Sequence, residues 1–237
     1  MKMLCFPHAG GTGVSYMKWK KYFDGIEIIP IHLPGRNSRM AEPLCETIEE
    51  MVDDIKIQVS ALIDHNEEYI VYGHSMGVLL IYELLQVLPK MGIPMPVHIF
   101  LSGKNPPYIP IEKPIHQLSD DKFLEKIVQL GGMDAQSFEN PVLAKVFLPI
   151  LKTDFSIVEN YRSEEEHLQF PVNISFFYAT DDVCINRQYV KQWADFTSSS
   201  FRMYYFMGGH FFLFDQGEQI AKIIQETVSN RYEIIPY

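Results

Sequence analysis

The sequence predicts an α/β fold, in which helices cover both faces of a mostly parallel sheet of about six to seven strands. Short apolar runs of β-like composition alternate with amphipathic helical patterns along most of the 237 residues. Hydrophobic residues make up 47% of the chain, which is sufficient for one large core. We therefore expect a single domain over residues 1–237, with an inserted helical lid over 103–171.

The predicted elements follow one another in a regular order. The segments with strand composition are 3–6, 26–31, 69–72, 97–101, 172–178 and 201–206. Helical periodicity occurs over 47–64, after residue 77, over 186–196 and over 216–230. Between 103 and 171 the strand pattern stops and helical patterns replace it, so this interval predicts a lid between two strands of the sheet.

A G-x-S-x-G pentad lies between the third predicted strand and the helix that follows it. Its residues are Gly73-His74-Ser75-Met76-Gly77, and in this strand–turn–helix context the pentad is typical of a nucleophile elbow. The glycines leave room for the strand and the helix to pass closely while the serine hydroxyl points outward. Ser75 is therefore the candidate nucleophile, and the N–H of Met76 at the helix N-terminus is a candidate oxyanion donor.

A glycine-containing loop, Pro7-His8-Ala9-Gly10-Gly11, follows the first predicted strand. This loop matches neither the G-x-G-x-x-G dinucleotide fingerprint nor the phosphate-binding P-loop. In serine hydrolases a loop at this place supplies the second oxyanion N–H. Ala9 is the preferred donor, and Gly10 is the alternative.

The other catalytic candidates follow the last two predicted strands, as the chain order serine, acid, histidine requires. His210 lies in a loop with two glycines after the strand 201–206 and is the candidate general base. Asp181 and Asp182 follow the strand 172–178, where a carboxylate could orient the imidazole. Asp182 is preferred because its A-x-x-D turn resembles the G-x-x-D acid turn of α/β-hydrolases, and Asp181 stays an alternative.

The composition limits the classes of partner. The formal net charge of -10 disfavours nucleic acid and anionic membrane surfaces. No apolar run approaches the roughly 18 residues that a bilayer-spanning helix needs, and we see no signal-peptide pattern. Cys5, Cys45 and Cys184 are odd in number and widely spaced, so we expect no disulfide framework, no metal site and a cytoplasmic protein.

Five segments together resemble the type II (external, editing) thioesterases of nonribosomal peptide and polyketide synthesis. The segments are F-P-H-A-G-G at 6–11, L-P-G-R at 33–36, the pentad at 73–77, L-P-I-L-K-T-D-F at 148–155 and G-G-H-F-F-L at 208–213. They are spread over nearly the whole chain. Two departures from the family pattern are Ala179, where glycine is usual, and Lys152, where arginine is usual.

The resemblance implies an α/β-hydrolase that cleaves aberrant or short acyl groups from the phosphopantetheine arm of acyl- or peptidyl-carrier proteins. It implies a triad of Ser75, Asp182 and His210, and no cofactor; we expect a monomer. The residues alone predict only an acyl-transferring serine hydrolase. The alternatives are a small-molecule esterase or lactonase on the same fold, and a non-catalytic binding protein with the hydrolase fold.

Two arginines lie in the loop after the second predicted strand. Arg36 and Arg39 could bind an anionic group, or they could tie the loop down through carboxylates. We favour the second role. Because carrier proteins are commonly acidic near the modified serine, Arg36, Arg39 and Lys104 are also candidates for a basic docking patch.

Overall fold

The computed structural model describes residues 1–132, 140–163 and 168–231, and a six-stranded sheet forms its centre. The strands are β1 (Lys2–Phe6), β2 (Glu27–Pro30), β3 (Tyr69–His74), β4 (His98–Ser102), β5 (Ile174–Ala179) and β6 (Phe201–Phe206). They lie in the order β2-β1-β3-β4-β5-β6, and every neighbouring pair is parallel. The predicted parallel sheet is confirmed.

Helices cover both faces of this sheet. They are α1 (Ile48–Leu62), α2 (Met76–Val87), α3 (Asp120–Leu130), α4 (Pro141–Asn160), α5 (Arg187–Val190), α6 (Phe212–Asp215) and α7 (Gly217–Ser229). On one face α1 and α2 contribute Ile55 and Leu80 to the core, and on the other face α7 contributes Ile220 and Ile224. Within the described residues, none of the helices has the length and hydrophobicity that a bilayer crossing needs.

The apolar composition of the strands follows from this two-sided covering. Every residue of β3, β4 and β5 is buried, as is typical of parallel strands that have helices on both faces. Along β1, Leu4 and Phe6 belong to the core beneath α1 and α2, whereas Met3 and Cys5 belong to the core beneath α7. This alternation is the two-residue period of a strand.

The parallel arrangement brings four loops to one edge of the sheet. The carboxyl ends of β1, β3, β5 and β6 lie at this edge because all the strands run in the same direction. The loops that leave these ends carry Ala9, Ser75, Asp182 and His210. Open α/β sheets bind ligands outside the carboxyl ends of their strands, so the topology places these candidates where a site is expected.

The interval between β4 and β5 contains α3 and α4. Residues 133–139 and 164–167 of this interval lie outside the described part of the chain. Phe123, Ile127 and Leu151 form a small apolar cluster that is separate from the two sheet cores. The later part of α4 joins the core beneath α1 and α2 through its own apolar side chains. The two helices therefore pack on each other over the loops of the sheet edge.

Two segments differ from the helices that the sequence predicts. Residues 13–22 form a 3₁₀ helix that buries Tyr16 and Trp19, although the segment has little helical periodicity. The single helix predicted over 186–196 is instead the short α5 followed by a 3₁₀ segment at 191–196. In this segment Trp193 and Phe196 are both buried, and a 3₁₀ turn aligns side chains three residues apart on one side.

Candidate active site

Ser75 occupies a sharp turn between β3 and α2. Its φ of 54° and ψ of -114° lie outside the regions that residues with a side chain ordinarily adopt. The backbone N–H of Ser75 donates to the carbonyl oxygen of Ser102 at the end of β4, with a distance of 2.8 Å. The neighbouring strand thus holds a strained backbone, as is common at functional sites.

Two glycines make this turn possible. A Cβ atom on Gly73 would lie 2.6 Å from the carbonyl oxygen of Gly77, and a Cβ atom on Gly77 would lie 2.6 Å from that of Phe6. Both distances are shorter than a van der Waals contact. The glycines of the pentad therefore allow α2 to start directly against β3 and β1.

Met76 and the loop after β1 provide the candidate oxyanion donors near Ser75. Met76 is the first residue of α2, and the N–H groups of a first helical turn have no partner within the helix. In the loop after β1, the N–H of Gly10 donates to Asp154 of α4 at 2.7 Å, so it is already engaged. Within the described residues, the N–H of Ala9 has no hydrogen-bond partner. Of the two candidate oxyanion donors in this loop, Ala9 and Gly10, Ala9 is the one whose backbone N–H is free to donate.

The imidazole of His210 contacts Asp182. Its Nδ1 lies 2.9 Å from Asp182 Oδ2, and the side chains of both residues are buried. The second carboxylate oxygen of Asp182 accepts the backbone N–H of Cys184 at 2.8 Å. By contrast, Asp181 is exposed, and its carboxylate accepts the hydroxyl of Thr180 at 3.4 Å. The carboxylate beside the ring is thus that of Asp182.

The surroundings of His210 favour its protonated form. Burial lowers the pKa of His210, but the thiol of Cys184 and the carboxylate of Asp182 outweigh burial and raise this pKa above its usual range. A carboxylate that accepts from Nδ1 fixes the tautomer of the ring and stabilises the imidazolium. The pair can therefore stabilise the positive charge that arises when the other ring nitrogen accepts a proton.

Two further histidines, His74 and His8, lie at this edge of the sheet, and the pKa of each is lowered. The ring of His74 is 4.7 Å from that of His210, and its Nδ1 lies 2.9 Å from Ser102 Oγ. Burial, and then the charge of His210, lower the pKa of His74 well below its usual value. Burial, followed by the charges of His210 and Arg36, lowers the pKa of His8 to about 4. Among these three histidines, His210 alone is placed to carry a proton.

A cavity of about 490 Å³ opens at this edge of the sheet. Ser75, His210 and Ala9 line its floor, and α3 and α4 contribute its opposite wall. The apolar lining side chains are Val14, Met40, Ile127, Leu130, Phe147, Ile150, Leu151, Phe155 and Phe211. A largely apolar cavity with a few convergent polar groups is the usual form of a small-molecule site.

A buried ion pair ties three parts of the site together. Asp154 of α4 accepts two hydrogen bonds from the Arg36 guanidinium, at 2.5 and 2.8 Å, in addition to the one from Gly10. The exposed fraction of each charged side chain is 3% or less. The prediction that Arg36 ties its loop down is confirmed. Asp154 lies in the segment 148–155 that resembles the thioesterase family, but no role was predicted for its carboxylate from the sequence.

The predicted docking role of these arginines is wrong for Arg36. Only 4% of Arg36 is exposed, and its guanidinium is paired with a carboxylate. Arg39 also ties its loop down, because it donates to both Asp54 and Glu42. The loop arginines therefore stabilise the loop rather than present free positive charge.

The fold and the geometry define a class of protein. A parallel sheet with a serine on a strand–helix elbow and an aspartate–histidine pair at the same edge is the arrangement of an α/β-hydrolase. A family model described as "Thioesterase domain" matches residues 1–228. The chain belongs to this thioesterase family.

Individual proteins are similar over almost the whole chain. LgrE of Brevibacillus parabrevis, named a linear gramicidin dehydrogenase, is 32% identical over 234 residues, covering 96% of this chain and 88% of LgrE. The structure of ClbQ from the colibactin NRPS/PKS pathway has a TM-score of 0.90 at 30% identity and covers 97% of each chain. BorB, a type II thioesterase from the borrelidin biosynthetic cluster, has a TM-score of 0.83 at 27% identity, covering 95% of this chain and 91% of its own.

Proposed function

We propose that this protein is a serine thioesterase that hydrolyses aberrant or short acyl groups from the phosphopantetheine arm of carrier proteins in nonribosomal peptide or polyketide synthesis. The observation that carries the proposal is the cavity lined by both Ser75 and His210, in a chain of the thioesterase family. The similarity to BorB and ClbQ, whose descriptions name a type II thioesterase and an NRPS/PKS pathway, supports the substrate class.

The proposed mechanism gives each residue of the site one role. His210 accepts the proton of the Ser75 hydroxyl, and the resulting alkoxide attacks the carbonyl carbon of the thioester. The N–H groups of Met76 and Ala9 donate to the oxyanion. Asp182 holds the ring of His210 in the tautomer whose Nδ1–H donates to the carboxylate. His210 gives the proton taken from Ser75 to the departing sulfur of the arm, and the neutral ring then deprotonates a water molecule whose attack releases the acyl group from Ser75.

The helices α3 and α4 serve as the lid in this proposal, within an insertion over 103–171 of a single domain over 1–237. Both helices contribute apolar side chains to the cavity, among them Ile127 and Leu151. The cavity volume of about 490 Å³ falls within the range of sites for small ligands, roughly 300–1,000 Å³. We infer that the acyl group and the end of the arm enter between the lid and the sheet edge.

LgrE is named a dehydrogenase, but we do not propose a dehydrogenase activity for the present chain. A nicotinamide-dependent enzyme would be expected to have a G-x-G-x-x-G turn after its first strand. The turn after β1 reads Pro7-His8-Ala9-Gly10-Gly11 instead, and the N–H of Gly10 is bonded to Asp154. The loop fits an oxyanion donor better than a pyrophosphate site.

A comparison of substrates tests the proposal. The specificity constant kcat/KM is measured by intact mass for an acetyl-carrier protein, for acetyl-pantetheine and for an oxygen ester, with Ser75→Ala as the blank. We expect the highest kcat/KM for the carrier, because the enzyme meets its acyl group on another protein. Equal or better use of the small thioester would contradict this expectation and favour a small-molecule esterase, as would a preference for the oxygen ester without activity on carriers. If a fluorophosphonate does not label Ser75, the non-catalytic alternative is favoured.

A further inference from the structure

A third reactive side chain lies beside the Asp182–His210 pair. One ligand atom from each of Asp182, Cys184 and His210 lies within 4.8 Å of the ligand atoms of the other two. The ligand atom of Cys184 is the sulfur of its thiol. The proposed mechanism of hydrolysis does not use this thiol. The thiol is therefore a candidate for a second chemical role.

The three groups match the ligand preference of zinc. Thiolate sulfur, imidazole nitrogen and carboxylate oxygen are the protein ligands that Zn²⁺ takes, at about 2.3, 2.0 and 2.0–2.2 Å. Ligand atoms around a tetrahedral ion at these distances lie about 3.5 Å apart. Because the three ligand atoms lie up to 4.8 Å apart, the side chains must move by on the order of 1 Å to bind the ion. A water molecule would complete the coordination of a zinc ion with three protein ligands.

The surroundings of the cluster orient its ligands and leave an entry path. The backbone N–H of Cys184 holds one carboxylate oxygen of Asp182 at 2.8 Å, so the other oxygen faces the ring of His210. Hydrogen bonds of this kind orient metal ligands from the second coordination shell. Asp182 and His210 are buried, whereas Cys184 is exposed. A cation can therefore reach the cluster from the side of the thiol.

We propose that Asp182, Cys184 and His210 form a Zn²⁺ site whose occupancy reversibly inactivates the enzyme. Binding forms Zn–S, Zn–N and Zn–O bonds, releases the thiol proton to solvent and shifts the ring proton of His210 from Nδ1 to Nε2, without transfer of electrons. The ion replaces the hydrogen bond between Nδ1 of the ring and the carboxylate. A neutral imidazole that binds the metal through Nδ1 carries its proton on Nε2. His210 can then no longer accept the proton of Ser75.

The metal site is tested with Co²⁺ as a spectroscopic probe of the full chain after treatment with EDTA. We expect thiolate-to-cobalt charge-transfer absorption in the near ultraviolet, saturating at one ion per chain. Cys184→Ser should abolish this band and weaken Co²⁺ binding by at least about tenfold, the lower end of what loss of an outer-shell partner costs. Cys45→Ser is the matched control, because Cys45 is half-buried and lies outside the cluster. The proposed metal site would be contradicted if the charge-transfer band remained in Cys184→Ser, or if it were lost in Cys45→Ser.

Inactivation is tested by the rate at which a fluorophosphonate labels Ser75. Zn²⁺ should slow this labelling in the parent and in Cys45→Ser, and EDTA should restore it. In Cys184→Ser, at least about tenfold more Zn²⁺ should be needed for the same effect. A saturated cobalt band with unchanged labelling would overturn the inactivating role. Neither measurement uses a carrier protein, so their outcome is independent of the proposed substrate.

Discussion

Replacing Asp154 by alanine should destabilise the protein far more than removing an exposed carboxylate. The side chain of Asp154 is fully buried and accepts three hydrogen bonds, two from the Arg36 guanidinium and one from the N–H of Gly10. In Asp154→Ala the guanidinium, which is 3% exposed, keeps its charge but loses its partner. The substitution also disconnects α4 from the loop after β1.

The expected magnitude follows from these contacts. Removing one partner of a buried ion pair costs about 3–5 kcal/mol, because the remaining charge is buried without compensation. An N–H that loses its acceptor adds about 1–3 kcal/mol when it is fully buried, and less at Gly10, which is half-buried. We expect a loss of about 4 kcal/mol in the free energy of unfolding, out of a typical total of about 5–15 kcal/mol.

Urea denaturation at equilibrium measures this loss, with Asp120→Ala as the matched control. Asp120 pairs with Lys152 between α3 and α4, but its side chain is 61% exposed, so its removal should cost about 0–1 kcal/mol. The double variant Arg36→Met/Asp154→Leu removes both buried charges and should be more stable than Asp154→Ala. Similar unfolding free energies for Asp154→Ala and Asp120→Ala would refute the reasoning.

Three further outcomes concern the nucleophile elbow and the acid. Ser75→Ala should leave the urea midpoint unchanged and lower kcat by about 10⁴-fold or more; activity within about tenfold of the parent would place the nucleophile elsewhere. Asp182→Asn should lower kcat/KM by about 10⁴-fold, whereas Asp181→Asn changes an exposed side chain and should have little effect; the reverse ranking would assign the acid to Asp181. Gly77→Ala should cost about 1–3 kcal/mol of stability, because its Cβ would lie 2.6 Å from a carbonyl oxygen of β1, while a Cβ on Gly209 meets no atom within 4 Å. Equal urea midpoints for Gly77→Ala and Gly209→Ala would contradict this close approach.

The elbow could be predicted from the sequence because its signal is local. Ser75, its two glycines, the strand before it and the helix after it lie within a short stretch of chain, where spacing and periodicity translate directly into geometry. The parallel sheet was predictable for a related reason. Its central strands β3, β4 and β5 are buried on both faces and therefore read as apolar runs.

The contacts that complete the site could not be predicted in this way, because they join distant parts of the chain. Arg36 and Asp154 are 118 residues apart, and the sequence offers no spacing rule that pairs them. The thiol of Cys184 also meets His210 only after β5 and β6 have paired. The docking prediction failed at Arg36 for the same reason, since the sequence did not show the carboxylate that neutralises it.

The central claim is that Ser75 carries the acyl group of a carrier-bound thioester before water removes it. The direct measurement mixes excess protein with an acyl-carrier protein, quenches the reaction in acid and locates the acyl mass by peptide mapping. We predict an acyl group on the peptide that contains Ser75, a free thiol on the carrier, and neither change with Ser75→Ala. Acyl mass on another peptide, or discharge of the carrier by Ser75→Ala at the rate of the parent, would contradict the claim.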